Sequence, residues 1–64
     1  MSTPETLALD ICRVKELALS NREYFVLVDY LSKDTDERYR RVMGMRSVEI
    51  FQLLDLTLPH TPSR

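Results

Sequence analysis

The stretch SNREYFVLVDYLSKDTDERYRRVM, residues 20–43, decides the fold. Its core, YFVLVDYL, is rich in β-branched and aromatic residues, as strands are. One reading pairs residues 24–31 with residues 37–43 as a β-hairpin flanked by helices, an α+β fold. The other makes two helices. Ser20 and Glu23 stand at the spacing of a capping box, in which the hydroxyl takes the N3 amide and the carboxylate returns to the N-cap amide. Tyr24, Leu27, Val28 and Leu31 then share one helical face. The connection SKDTD lacks the Asn-Gly or Asp-Gly of a tight hairpin. The helical reading follows, and the expected fold is a small all-α domain of three to four short helices.

The flanking elements fit that fold. Thr3-Pro4-Glu5 reads as a helix start, with Thr3 as cap and Pro4 where its missing N–H does no harm. Leu7, Ile11, Val14 and Ala18 recur at spacings of 4, 3 and 4 and predict a helix over residues 4–19. Asp34 or Thr35 is the expected cap of a third helix, with Asp34 and Glu37 repeating the capping-box spacing. That helix turns Tyr39, Val42 and Met43 inward and ends near Gly44, the chain's single glycine. Ser47 is the expected cap of a fourth, with Ile50, Leu53 and Leu54 inward. Residues 1–58 thus form one helical domain. Residues 59–64, which hold Pro59 and Pro62, read as a flexible C-terminal tail.

A chain of 64 residues buries only about 60% of its unfolded surface, so its stability is marginal. Such domains usually draw on a disulfide, a metal or a partner. Cys12 is the sole cysteine, which excludes an internal disulfide and suits a reducing compartment. His60 is the sole histidine and lies between two prolines, so neither a metal centre nor a histidine-based catalytic arrangement is expected. The acids Asp34, Asp36 and Glu37 read as helix-start residues, because a calcium loop needs a longer ladder of oxygens and a glycine. One glycine cannot build a phosphate loop. No enzymatic activity and no cofactor is expected. No secretory signal and no apolar run of ~18 residues is visible, so a cytoplasmic protein without a membrane span is expected.

Charge is unevenly placed. Residues 1–37 sum to −4, residues 38–47 to +4 and residues 48–64 to −1. The basic island is DERYRRVMGMRS, residues 36–47. Its bland reading is a solvated helix face paired with the acidic half of the chain. Its functional reading is a docking surface, because arginine and aromatic residues at close spacing are what interface hot spots use. The candidate partner-binding residues are Arg38, Arg40, Arg41, Arg46 and Met45, and the matching partner is a larger protein with an acidic surface. Leu9, Cys12, Leu19, Val26, Tyr30 and Phe51 lie off the inward stripes, which points to a homodimer or a bound partner. The tail PHTPSR has the Pro-x-x-Pro-x-Arg spacing of polyproline ligands, a short pattern common by chance.

Residues 36–55 also resemble the helix-turn-helix of DNA-binding regulators, with Gly44 in the turn and Ile50 and Leu53 anchoring the second helix. The resemblance departs from the pattern where Arg40 stands four positions before the turn glycine, at a place that wants a small residue. The second helix offers Glu49, Gln52 and Asp55 with no Lys or Arg, and carboxylates repel phosphates. Two readings result. The first is a small regulatory protein, an adaptor, anti-activator or inhibitor working as a homodimer by protein–protein contact. The alternative is a DNA-binding transcriptional regulator with a degenerate helix-turn-helix, which makes nucleic acid the less favoured partner.

Overall fold

In the computed structural model, residues 3–57 are described and hold four helices: α1 (Pro4–Lys15), α2 (Asn21–Lys33), α3 (Thr35–Met43) and α4 (Ser47–Thr57). The fold is all-α, with no strand among the described residues. The expected tail, with His60 and the Pro-x-x-Pro-x-Arg spacing, lies outside them. The hairpin alternative falls at the capping box. The Ser20 hydroxyl accepts from the Glu23 amide at 3.2 Å, and the Glu23 carboxylate accepts from the Ser20 amide at 2.9 Å. That reciprocal pair fixes the first turn of α2 and overrides the strand preference of YFVLVDYL.

α2 packs against each of the other three helices, and α3 also packs on α1. The fully enclosed side chains are Ile11, Leu27, Leu31, Val42, Ile50 and Leu54, joined by Ala8 and Leu17. The inward faces expected for α2, α3 and α4 are the observed ones: Tyr24, Val28, Tyr39, Met43 and Leu53 are half-buried against that core.

α1 differs from expectation at its end. It stops at Lys15, and Glu16 adopts the left-handed conformation at φ 56°. The Leu17 amide donates to the Cys12 carbonyl at 2.8 Å and the Glu16 amide to the Arg13 carbonyl at 3.4 Å. These two bonds make a Schellman cap, whose left-handed position usually holds glycine. A glutamate there hides the helix end from a sequence reading. The consequence is that Leu17 enters the core from the linker, while Val14 and Ala18, expected inward, are exposed. Ala8 and Cys12 take their places. A left-handed non-glycine residue costs roughly 1–2 kcal/mol, partly offset by the entropy a glycine adds to the unfolded chain. Glu16→Gly is therefore expected to stabilise the fold by up to ~1 kcal/mol in urea unfolding. A loss of stability would show that the Glu16 side chain contributes more than its backbone strain removes.

The caps of α3 and α4 also correct the sequence. Asp34 occupies the N-cap position of α3 but its side chain makes no capping bond. The Ser47 hydroxyl does not cap α4: it donates to the Lys15 carbonyl at 3.0 Å, satisfying one of the open carbonyls at the end of α1. Arg46 holds the cap position, its carbonyl taking the Ile50 amide and its amide donating to the Glu49 carboxylate at 2.7 Å.

Candidate docking surface

The arginines of the basic island do not form one patch. Arg38 and Arg41 both reach Tyr30 of α2. The Arg38 guanidinium lies over the Tyr30 ring, 4.4 Å from its centroid, and Nη1 donates to the Tyr30 carbonyl at 3.2 Å. Arg41 Nη1 donates to the Tyr30 hydroxyl oxygen at 3.4 Å, and Nη2 pairs with Glu37 at 3.3 Å. Arg40 is exposed, its carbonyl takes the Gly44 amide at 3.1 Å, and its guanidinium makes no hydrogen bond or ion pair with the described residues. Arg46 stands in the turn after α3, 82% exposed, with its Nε 4.0 Å from Glu49. Met45 is half-buried, packed against the core, and so contributes more to the bundle than to its surface.

Tyr30 is the residue that reading the sequence misses as part of this cluster. It stood there only as a leftover apolar position. The signal was its spacing from Arg38: α2 and α3 are separated by Asp34 alone, so the chain folds back sharply and brings the two together. A cation over a half-buried aromatic face is worth about 0.5–2 kcal/mol, which binds α3 to α2.

The bland reading of the basic island is a solvated face paired with the acidic half of the chain, and Arg41 with Glu37 is one such pair. The observed pairs are local: Arg13 with Asp10, Lys33 with Asp29, Arg41 with Glu37 and Arg46 with Glu49, each three or four residues apart. The acid that does tie helices together meets a phenol. Tyr39 donates its hydroxyl proton to Asp10 at 2.7 Å, joining α3 to α1. This hydrogen bond, then burial and the charge of the carboxylate, holds the Tyr39 phenol above its ordinary pKa. The folded state therefore keeps the Tyr39 proton at a pH where the unfolded chain, with a phenol near pKa 10, has begun to release it. The contribution is complete below that pH and is lost as pH rises through the folded value. Thermal midpoints followed from neutral to strongly alkaline pH should fall more steeply in the wild type than in Tyr39→Phe. Parallel curves would mean that the pair does not couple proton release to folding.

Of the apolar residues expected to be left over, Cys12, Leu19, Val26 and Tyr30 pack against the core. Leu9 and Phe51 are exposed, and so are Val14, Phe25, Val48 and Leu56, the last at 84%. A surface groove of about 510 Å³ runs between α1, the α1–α2 linker and the start of α2, lined by Leu9, Cys12, Leu17, Leu19 and Tyr24 among others. Burial raises the pKa of the Cys12 thiol at its edge, which favours the protonated form.

The helix-turn-helix expectation concerns α3, α4 and the turn between them. α3 and α4 follow one another across residues 44–46, yet α3 packs on α1 and α2, and α4 packs on α2. The exposed side of α4 carries Val48, Phe51, Gln52, Asp55 and Leu56, and no cation lies between residues 47 and 57. Among the described residues no group of His, Cys, Asp and Glu is placed to hold a metal, and no helix is long and apolar enough to cross a membrane. No protein-family model, no curated protein and no solved structure matches this chain.

Proposed function

We propose that this chain is a small non-enzymatic regulator that works by protein–protein contact, an adaptor, anti-activator or inhibitor that docks on an acidic surface of a larger protein. The observation that carries the reading is the arrangement of α3. Two arginines are ordered on Tyr30, and a third, Arg40, stands exposed on the same helix without a partner among the described residues. Ordered arginines lose less side-chain entropy on binding, which is where interfaces gain affinity. Arg46 belongs to the same basic island, and Met45 beside it in the sequence packs against the core. Homodimerisation in the cytoplasm is part of the proposal. Its support is the six large apolar side chains left exposed among the described residues of a bundle this small.

The test uses the tagged chain and a lysate of the source cells. A larger acidic protein should be retained at low salt and released as ionic strength rises, because exposed charges are screened within a Debye length of about 10 Å at 0.1 M. Retention that ignores salt would sink the electrostatic docking reading. In parallel, the chain should show no affinity for random duplex DNA at low salt. Binding that weakens steeply with salt would replace protein docking with the nucleic-acid reading.

A further inference from the structure

Arg38 and Arg41 lie three residues apart on α3, and both guanidinium groups end on a single side chain of α2. Folding accounts for Arg38, which is half-buried and spends a donor on the Tyr30 carbonyl and its flat face on the Tyr30 ring. It accounts less well for Arg41. That side chain is more than half exposed, and its bonds to Tyr30 and Glu37, at 3.4 and 3.3 Å, are long. Two like charges gathered on one tyrosine repel each other, and Glu37 is the acid paired there. The Tyr30 oxygen accepts from Arg41, while its own O–H donates to no acceptor among the described residues. Around Tyr30, guanidinium and phenol donors thus outnumber the acceptors that the described residues offer them.

We infer that Tyr30, Arg38 and Arg41 form a clamp for one carboxylate, an Asp or Glu side chain on an acidic segment of the partner protein. This rests on the docking reading above and deepens it by naming the group bound and by placing its centre at Tyr30. Arg40, Arg46 and Met45 fall outside the clamp. The carboxylate matches on two counts. It is planar, and guanidinium forks bind planar anions through paired N–H donors. It also carries one negative charge, which is what Arg38 and Arg41 leave over after Glu37. A phosphate dianion would exceed that balance. Because the ring already fixes Arg38 and orients Arg41, the clamp is ordered before the ligand arrives, and less rotamer freedom is lost on binding.

The experiment is a nuclear magnetic resonance titration of the isotope-labelled full chain with a capped oligoglutamate peptide at low salt. Inorganic phosphate serves as a second probe. Glutamate should perturb the signals of Tyr30, Arg38 and Arg41 first. Arg41→Gln should weaken binding about tenfold, the scale of one charge-assisted hydrogen bond. Tyr30→Phe keeps the ring beneath Arg38 and removes only the hydroxyl, so it should weaken binding while the melting temperature stays near that of the wild type. Arg40→Gln should change affinity less than about twofold, the level of a screened surface charge. The inference is overturned if Arg40→Gln weakens binding as much as Arg41→Gln, if the perturbed signals centre elsewhere, if phosphate binds more tightly than glutamate, or if glutamate does not bind. A chain that retains its acidic partner from lysate but ignores oligoglutamate would keep the docking reading and remove the clamp.

Discussion

Leu27→Ala is expected to unfold the domain or to leave it with little cooperative structure at ambient temperature. Leu27 is fully enclosed, and it sits on α2, the helix that packs against α1, α3 and α4. Truncating an enclosed leucine costs about 2–5 kcal/mol, since the lost transfer energy is joined by a cavity that a bundle closes only in part. A domain of 64 residues has about 3–10 kcal/mol in all, at the usual stability per residue. The measurement is far-ultraviolet circular dichroism followed through a thermal melt. A variant that keeps a sharp transition close to that of the wild type would show that α2 is not the spine of the bundle. Leu56→Ala is the control: that side chain is exposed and should change stability within ±0.5 kcal/mol.

Charge reversal on α3 should separate docking from folding. Arg40→Glu touches no described partner and should leave stability within about 0.5 kcal/mol. Arg41→Glu is less innocent than its exposure suggests, because it removes the contact with Tyr30 and sets a second carboxylate beside Glu37. Its melting temperature should fall below that of Arg40→Glu. Loss of partner binding should be far larger for Arg41→Glu, which lies at Tyr30, than for Arg40→Glu, and greatest in the double variant. Like charges brought together across an interface cost several kcal/mol, enough to abolish retention of an acidic partner. Retention by the double variant at wild-type strength would reduce the basic island to a solvated face. Global unfolding of Arg40→Glu alone would show that the arginine is structural.

Much of this fold could be read without the structure, and for a common physical reason. Ser20 and Glu23 lie within one turn of each other, as do Thr3 and Pro4, so the chemistry that starts α2 and α1 is complete inside a few residues. The same holds for the inward stripes of α2, α3 and α4, which repeat at the helical period, and for the stop after Met43 at Gly44. The cluster of arginines was also legible, as was the absence of cations from α4.

What tertiary contact decided is what required a neighbour. Glu16 takes a left-handed conformation because Leu17 is drawn into the core behind it, and no local preference of glutamate foretells that. Ser47 looked like the cap of its own helix, yet the end of α1 lies within reach of its hydroxyl, which donates to the Lys15 carbonyl, and the cap position falls to Arg46, whose amide donates to the Glu49 carboxylate. Val14 and Ala18 follow the apolar period but fall outside the core, since the chain breaks at Glu16 and the packed face of α1 is the one through Ala8, Ile11 and Cys12. The basic island, continuous in sequence, divides in space because α2 supplies one aromatic ring. Arg38 and Arg41 meet at Tyr30, and Arg40, one residue from Arg41, is exposed and does not join them. Helix starts and stripes depend on residues a turn apart, whereas the partners of Ser47, Tyr39 and Arg38 were set by how four short helices pack.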